Sequence, residues 1–365
     1  QMVNEELEGS FSGIGVSFNL QTDTILVISV IPGGPSEKAG LLAGDRIITI
    51  NDSLFAGNNS SQGKIMKTLR VAKNSVVKLG IKRSTSQDLL YFNVTRGDVP
   101  VNSVDVAYVV REGVGYIKVN KFARTTYNEF ITAIAKLKQQ NCKSFIIDLR
   151  GNTGGYMDAA INMINEFMAN GRLIVYTEGK AFPRNDVYAN GTGTCQDAPI
   201  VVLTDEFSGS ASEIFAGAIQ DNDRGLIIGR RTYGKGLVQS QIPLSDGSAL
   251  RLTIARYYTP SGRCIQKDYE LGKTDEYDQD LFNRFMHGEF DSADSIKINN
   301  SLKYQTSLGR TVYGGGGIMP DIFIPRDTSG VTSYFSNVIN SGVLNLFTLE
   351  YSDNNREKLS SFKTY

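Results

Sequence analysis

The chain has 365 residues and a mass of 40.0 kDa, which is long enough for two domains that each bury a core. Its 38 basic residues balance 38 acidic ones, so no broad field attracts nucleic acid or an anionic membrane, and no nucleic-acid partner is expected. No run approaches the roughly 20 apolar residues that would span a bilayer, and the polar opening is neither a signal peptide nor an anchor.

Residues 1–8 are interpreted as a truncated N-terminal segment, so a leader would not be visible, and residues 9–97 predict a small β-rich domain. Two strands, GIGVSFNL and ILVISVI, flank a polar QTDT turn and predict a hairpin. A cluster of glycine and proline then breaks the chain before a short SEKAG helix and the strand GDRIITIN. Residues 61–70 carry Ile65 and Leu69 at helical spacing, and two closing strands, VVKLGIKR and LLYFNVTR, follow.

The series SGIGVSF, GGPSEKAGLLAGDRIITIN and a late amphipathic helix resembles the PDZ domain of bacterial proteases. In PDZ domains backbone N–H groups bind a C-terminal carboxylate, and the peptide adds as a strand. The resemblance implies that Ile14, Gly15 and Val16 present these N–H groups and that Ile65 and Leu69 contact the peptide. A glycine suits this role because no Cβ keeps the ligand away. Taken alone, GIG is an ordinary hairpin pattern, and the surrounding motifs favour the PDZ interpretation.

Residues 98–330 predict an α/β domain with an antiparallel extension. The strands VDVAYVV and VGYIKVN precede an amphipathic helix, and the strand of SFIIDLRGNTGG ends in glycines. The strand-helix pattern repeats in APIVVLTDEF, SASEIFAGAIQD and GLIIGRR. Asp246-Gly247 predicts a hairpin turn between two later strands. The polar insertion at residues 267–290 is interpreted as a surface excursion of undefined form, and residues 331–365 as a C-terminal helical segment.

The three cysteines are too few for a disulfide framework, and no CxxC pair indicates structural zinc. Cys142 is expected to be a buried thiol, because it precedes the apolar run FIID. Cys195 and Cys264 lie in polar contexts, and whether they pair is left open.

The single histidine, His287, makes a Ser-His-Asp triad or a multi-histidine metal site very hard to build. A hydrolase here needs another base, and a lysine serves when burial lowers its pKa toward neutrality. Lys235, in TYGKGLVQS, is the best candidate because its glycine neighbours allow a substrate to approach closely. The local string alone favours a surface lysine in a glycine turn.

Ser210 lies where the strand PIVVLT turns into a helix, so a nucleophile there is close to helix N–H groups. Such groups stabilise a developing oxyanion, and removing one donor typically costs on the order of 10²–10³ in rate. The spacing Ser210-x-x-Glu213 also fits a capping box, which locally is the simpler explanation.

The motifs FSGSASEIFAGAIQD, TYGKGLVQ, IDLRGNTGG, YYTPSGRCIQ and GGGGIMPDI together resemble the C-terminal processing, or tail-specific, proteases, over about residues 9 to 326. The resemblance implies a crotonase-like βαβ protease core behind the PDZ domain. It also implies that Ser210 is the nucleophile, Lys235 its general base and Gln239 the residue that positions the lysine amine. Ser212 does not match the position of the nucleophile in the family motif.

The same resemblance implies an oxyanion hole made by the N–H of Ala211 and that of a glycine in RGNTGG, with Gly155 favoured and Gly154 next. Asp221 matches a family aspartate and is interpreted as structural, because without histidine a third triad member has no clear task. The glycines at 314–317 lack the following Lys-Ser/Thr of a phosphate loop, so a tight turn and no nucleotide are expected.

The expected function is that of a serine endopeptidase that forms an acyl-enzyme and needs no metal or cofactor. Its partners would be unfolded or tail-exposed proteins, and its location extracytoplasmic, in a bacterial periplasm or envelope. Family members usually carry helices before the PDZ domain and often more chain after the protease, so the activity of this chain and a homo-oligomeric state are left open.

Two alternatives belong to other classes. A catalytically silent adaptor would bind tails through the PDZ domain alone, which the intact Ser210, Lys235 and Gln239 argue against. A crotonase-like acyl-thioester enzyme lacks a second catalytic carboxylate here, is disfavoured by the fused PDZ unit, and would bind coenzyme A, which is expected to be absent.

Overall fold

The computed structural model describes residues 7–21, 24–57, 61–270, 272, 274–355 and 358. The chain divides into two compact units, here called the small unit and the large unit. The small unit contains Ser10–Val101 and the segment from Asp327 onward, and the large unit contains Leu7–Gly9 and Asn102–Arg326.

The small unit is built around an antiparallel sheet. Its first elements are β1 (Ser10–Gly13), β2 (Val16–Gln21), β3 (Thr24–Val30), α1 (Pro35–Ala39), β4 (Arg46–Ile50), β5 (Ser53–Leu54), α2 (Gln62–Leu69), β6 (Val76–Lys82), β7 (Leu90–Thr95) and β8 (Gly97–Pro100). The sheet order is β2-β3-β4-β6-β7, with β5 beside β4, while β1 and β8 form a separate pair. The predicted hairpin is therefore observed as β2 and β3, and the predicted closing strands are β6 and β7.

The core of the small unit follows from strand alternation and helix periodicity. Ile25 and Val27, two residues apart on β3, are both fully buried. The helix α2 begins where the Ser61 side chain accepts a hydrogen bond from the N–H of Lys64. Its buried face packs into the same core, so this helix closes one side of the sheet.

The large unit contains two main sheets. Its elements are β9 (Val106–Arg111), β10 (Val114–Lys118), α3 (Thr126–Gln139), β11 (Ser144–Asp148), α4 (Met157–Asn165), β12 (Leu173–Gly179), β13 (Phe182–Tyr188), β14 (Ile200–Thr204), α5 (Ala211–Asp221), β15 (Leu226–Gly229), β16 (Leu237–Pro243), β17 (Ala249–Tyr258), α6 (Thr274–Asp278), α7 (Asp280–Met286), β18 (Lys303–Gln305), β19 (Thr311–Tyr313) and β20 (Ile322–Phe323). Two short 3₁₀ helices lie at Ala293–Ser295 and Asn300–Leu302. Beyond Asp327 the small unit adds α8 (Ser333–Asn340) and α9 (Val343–Asn354).

The six-stranded sheet of the large unit has the order β20-β15-β14-β11-β10-β9, and all neighbours are parallel except β9 and β10. Helix α3 buries Phe130, Ile134 and Leu137, which recur on one face as predicted. Around Phe167, ring centroids of Phe130, Phe145 and Phe215 lie 6.2–6.4 Å away in edge-on geometry. This core fixes the strand ends from which the candidate site is built.

The parallel arrangement brings two predicted motifs together. Strands β11 and β14 are neighbours, so their carboxyl ends lie at the same edge of the sheet. The glycine-rich segment 150–155 follows β11, and the turn that carries Ser210 follows β14. Segments that are far apart in sequence thus meet at this edge.

The second sheet has the antiparallel order β13-β12-β17-β16. Strands β16 and β17 form the predicted hairpin, whose turn at Asp246-Gly247 has φ of +83° at the glycine. The insertion at 267–290, for which the sequence defined no form, contains the two short helices α6 and α7.

The cysteines are all free thiols, so the pairing of Cys195 with Cys264 is not formed. Cys142 is buried as predicted, and burial raises the pKa of its thiol. Among the helices of the described ranges, none combines the length and the apolar character needed to cross a bilayer.

Candidate active site

The turn between β14 and α5 presents Ser210 in a strained backbone conformation. Its φ of 56° and ψ of −113° lie in a region that non-glycine residues rarely adopt, which costs about 1–3 kcal/mol and is typical of functional sites. Ser208 and Ser212 are fully buried, and their hydroxyls donate to the carbonyl oxygens of Leu149 and Asn152. Ser210 is only partly buried, so it is the serine of FSGSAS that is open to a substrate.

The glycine loop after β11 lies directly against this turn. A Cβ on Gly154, where φ is +104°, would lie 2.6 Å from the Cβ of Ser210. The N–H of Gly154 donates to Asn152 Oδ1 at 2.9 Å. Gly155 is exposed, and within the described ranges its N–H makes no hydrogen bond. Ala211 occupies the first position of α5, where N–H groups have no acceptor inside the helix.

Asn152 joins the loop and the turn, a role that the sequence analysis missed. This side chain is fully buried and donates to the carbonyl of Val119, while the Asn152 carbonyl accepts from the N–H of Gly209 and the hydroxyl of Ser212. The only signal in the sequence is an asparagine within the glycine-rich segment RGNTGG, since its burial and its bonds to backbone are visible only in the structure.

Gly154→Ala is expected to lower the turnover of any reaction at Ser210 by about 10²-fold, because the added methyl must displace the nucleophile. Gly151→Ala is the matched control in the same loop, since it also has positive φ but open space around the added atom. Steady-state kinetics of both variants check this prediction. Equal losses in the two variants would show that backbone strain, rather than contact with Ser210, is responsible.

Lys235 lies just before β16 and borders a cavity of about 970 Å³. Leu237 and Gln239 line the same cavity, as expected for alternate positions that share one face of a strand. A smaller cavity of about 270 Å³ reaches Lys235 from the nucleophile side, because Thr153, Phe207 and Gly209 line it. The predicted lysine and glutamine are thus brought to one surface.

Glu213 links the serine turn to the lysine segment. Its carboxylate Oε2 accepts from the N–H of Ser210 at 2.8 Å and from the N–H of Lys235 at 2.9 Å. Oε1 accepts from the N–H of Gly234 at 2.7 Å and from the hydroxyl of Thr232 at 2.6 Å. Burial raises the pKa of Glu213 and the four hydrogen bonds act in the opposite direction. The predicted capping box is present, and it accounts for only one of the four hydrogen bonds that this carboxylate accepts.

Tyr257, on β17, makes a second connection between the same two segments. Its hydroxyl lies within hydrogen-bonding distance of the carbonyl oxygens of Ser210, at 2.9 Å, and of Lys235. Burial raises the pKa of Tyr257 well above its ordinary value, so the phenol stays protonated and donates.

The side chains of Ser210 and Lys235 make no hydrogen bond to each other in the described part of the chain. What the structure brings together is their backbone, through Glu213 and Tyr257. Catalytic hydrogen bonds of unliganded enzymes often tighten only when substrate binds, so this geometry leaves the pair as a prediction.

Asp221, at the end of α5, is engaged in a buried ion pair. Its Oδ1 accepts from Arg263 Nη2 at 2.7 Å, and both side chains have 0% exposure. Its Oδ2 accepts from the hydroxyl of Ser261 at 2.7 Å. These partners fit the structural role that the sequence analysis gave to Asp221.

Among the described residues, neither the histidine nor the possible metal ligands form a second candidate site. His287 is exposed at the end of α7. No group of three His, Cys, Asp or Glu side chains placed to hold a metal occurs among the described residues.

The predicted peptide-binding residues of the small unit fall into two groups. Gly15, with φ of +77°, lies before β2, the edge strand of the sheet, with Ile14 and Val16 beside it. Ile65 and Leu69 have exposures of 0% and 3% and belong to the core. They are closed to a peptide in this conformation, so their contact with a ligand stays a prediction.

Family models match both units. The PDZ domain model matches residues 12–102, and that of peptidase family S41 matches residues 113–275. Residues 113–275 therefore form a peptidase family S41 domain, which follows a PDZ domain at residues 12–102. This confirms the predicted family and its fold, a PDZ domain followed by a family S41 core.

Curated relatives carry the same name as the predicted family. A carboxy-terminal-processing protease of Bartonella bacilliformis is 36% identical over 271 residues, which cover 72% of this chain and 61% of that protein. CtpB, a carboxy-terminal processing protease of Bacillus subtilis, is 31% identical over 266 residues, which cover 72% of this chain and 55% of that protein. The chain thus spans little more than half the length of these S41 relatives.

Among solved structures, a photosystem II D1 C-terminal processing protease is 26% identical and matches with a TM-score of 0.44, covering 86% of this chain and 72% of that one. A PDZ domain of a carboxy-terminal protease from Vibrio cholerae, solved with a peptide, is 22% identical with a TM-score of 0.23, covering 25% of this chain and 99% of that one.

Proposed function

We propose that this S41 chain is a serine endopeptidase that binds protein C-terminal tails through its PDZ domain and cleaves peptide bonds with a Ser210/Lys235 pair. The observation that carries the proposal is the meeting of the strained Ser210 turn, the glycine loop and the Lys235 segment at one site, held by Glu213. Family S41 consists of hydrolases, which fits a nucleophile and a base at this position.

In the proposed reaction the neutral amine of Lys235 takes the proton of the Ser210 hydroxyl, whose oxygen attacks the substrate carbonyl. The N–H groups of Ala211 and Gly155 stabilise the oxyanion. Gly154 is the alternative to Gly155 as the glycine that donates. The proton passes to the leaving amine as the peptide bond breaks, and an acyl-enzyme remains. A water molecule then gives a proton to Lys235 and attacks the acyl carbon, the bond from that carbon to the Ser210 oxygen breaks, and Lys235 returns the proton to this oxygen. Gln239 orients the lysine amine.

Two features support Gly155 as the glycine whose N–H stabilises the oxyanion. Gly155 is an exposed residue whose N–H has no acceptor within the described ranges, whereas the N–H of Gly154 donates to Asn152. An oxyanion needs donors that are not already committed, so Gly155 meets this condition better.

Tail recognition is assigned to the edge of the small unit. Strand β2 lies at the end of its sheet, so a peptide can add beside it by main-chain hydrogen bonds while Ile14, Gly15 and Val16 receive its carboxylate. Such substrates are unfolded or tail-exposed proteins, and the family resemblance supports a location outside the cytoplasm.

The test is incubation of the chain with unfolded β-casein, followed by identification of fragments by mass spectrometry. Cleavage into fragments with free new C-termini supports an endopeptidase. Retention of a C-terminal peptide without any cleavage would favour the tail-binding adaptor, and binding of coenzyme A would favour the acyl-thioester enzyme.

A further inference from the structure

Two buried side chains outside the proposed pair hold both of its segments by their backbone. Glu213 accepts from the N–H groups of Ser210 and Lys235, and the hydroxyl of Tyr257 lies against the carbonyl oxygens of the same two residues. Glu213 is 0% exposed and Tyr257 is 1% exposed. Glu213 therefore holds the N–H groups of both segments, and the single O–H of Tyr257 lies between their two carbonyl oxygens and donates to one of them at a time.

The chemistry of the Glu213 contacts is specific for a carboxylate. One oxygen receives two N–H donors, and the other receives an N–H donor and the hydroxyl of Thr232. A carboxylate offers about four acceptor positions and no donor, so all four contacts are satisfied. A glutamine of the same size would turn its own NH₂ group toward N–H donors at one of these positions, and at least one pair of contacts would be lost.

Thr232 ties this arrangement to a later part of the large unit. Its hydroxyl donates to Glu213 and accepts from the N–H of Ile318 at 2.6 Å. Because both roles of the hydroxyl are filled, it has a single orientation and adds a fixed donor to the carboxylate.

We infer that Glu213 and Tyr257 form a clamp, defined by these two residues, that sets the separation of Ser210 from Lys235 and so acts as a pair of positioning residues for proton transfer between them. This inference rests on the proposed function for its kinetic consequences only. The clamp works through the backbone of the reacting residues and does not touch the substrate.

The expected consequence is a loss of turnover with little change in substrate binding. Proton transfer and attack require the reacting atoms to lie about 3 Å apart, and a displacement of about 1 Å can cost on the order of 10² in rate. A residue that only stabilises the fold would lower the amount of active protein and leave turnover per folded molecule unchanged.

A second tyrosine–glutamate pair, in which the glutamate is buried and the tyrosine partly buried, provides controls within the large unit. The hydroxyl of Tyr127 donates to Glu166 at 2.8 Å, and Glu166 also accepts from the N–H of Thr194 at 3.0 Å. Glu166 is buried with 5% exposure and contacts neither Ser210 nor Lys235. Glu166→Gln and Tyr127→Phe therefore remove equivalent hydrogen bonds away from the pair.

The kinetic experiment compares Glu213→Gln and Tyr257→Phe with these controls, using β-casein and the concentration of folded protein measured for each variant. Glu213→Gln is expected to lower kcat by about 10²-fold and Tyr257→Phe by about 10-fold, with KM within about 2-fold of the wild type. Both control variants are expected to keep kcat within about 2-fold. Turnover of the clamp variants equal to that of the controls would overturn the inference.

Amide hydrogen exchange tests the clamp without any activity. In Glu213→Gln, amides of 208–212 and of 232–236 are expected to exchange faster together, because one side chain holds both segments. Glu166→Gln should leave these two segments unchanged. If amide exchange in the two segments is unaltered in Glu213→Gln, the inference of a clamp is wrong, whatever the kinetic measurements show.

The two readouts separate this inference from the proposed function. Cleavage by the wild type that persists in Ser210→Ala would contradict the proposed nucleophile, and the exchange result would still decide whether the clamp exists. Ser210-dependent cleavage with unaffected Glu213→Gln and Tyr257→Phe would retain the proposed function and reject the clamp.

Discussion

Ser210→Ala and Lys235→Ala are each expected to reduce cleavage of unfolded β-casein by at least ~10³-fold, because one variant removes the attacking oxygen and the other removes its base. The two losses should not add in the double variant, since groups that act in one step fail together. Initial rates from fluorescent casein measure all of these.

The chain offers a close control for each substitution. Ser212→Ala changes a serine two positions along, whose hydroxyl is committed to Asn152, and should retain cleavage within several-fold. Lys180→Ala removes an exposed lysine that borders the same cavity as Lys235 and should be nearly neutral. Loss of activity in Ser212→Ala with retention in Ser210→Ala would move the nucleophile to the other serine.

Asp221→Asn is expected to lower the free energy of unfolding of the large unit by about 3–5 kcal/mol, because it leaves the Arg263 guanidinium buried without its counter-charge. Asn retains the shape and the contact with Ser261 but carries no charge. For a domain of this size the loss corresponds to a fall of roughly 10 °C in the unfolding midpoint. Scanning calorimetry of the full chain, which separates the transitions of the two units, measures it.

Asp186→Asn provides the comparison, because Arg184 and Asp186 form an ion pair at 2.7 Å whose side chains are 48% and 29% exposed. Surface pairs of this kind contribute little, so the midpoint should barely move. If Asp221→Asn also left the midpoint in place while abolishing cleavage, Asp221 would take part in the reaction and its structural assignment would be wrong.

Much of the fold could be predicted from the sequence, because the patterns that indicate it lie within short segments. Two strand-like segments around the polar QTDT turn predicted β2 and β3, helical spacing predicted α2 and α3, and Asp246-Gly247 predicted the β16–β17 hairpin. The family motifs then placed Ser210 and Lys235 in segments that the structure does bring together.

The rest depended on contacts between segments that are distant in sequence. Glu213 was visible only as a helix cap, because its bonds to Gly234 and Lys235 exist only after the second segment has folded beside α5. No pattern in the sequence indicated a role for Tyr257 in the site, since a buried tyrosine on a strand usually serves only to pack the core. Ile65 and Leu69 were placed correctly on one helix face, but periodicity cannot tell a face that lines a groove from one that fills a core.

The hydrogen bonds between Thr232 and Ile318 also determine when the site can form during synthesis. The N–H of Ile318 supplies the partner of the Thr232 hydroxyl, and the carbonyl of Ile318 accepts from the N–H of Thr232 at 3.1 Å. A nascent chain that has already exposed both Ser210 and Lys235 outside the ribosome still lacks these bonds until Ile318 emerges. The Thr232 hydroxyl that donates to Glu213 thus gains its own N–H partner only from a residue that lies 86 positions further along the chain.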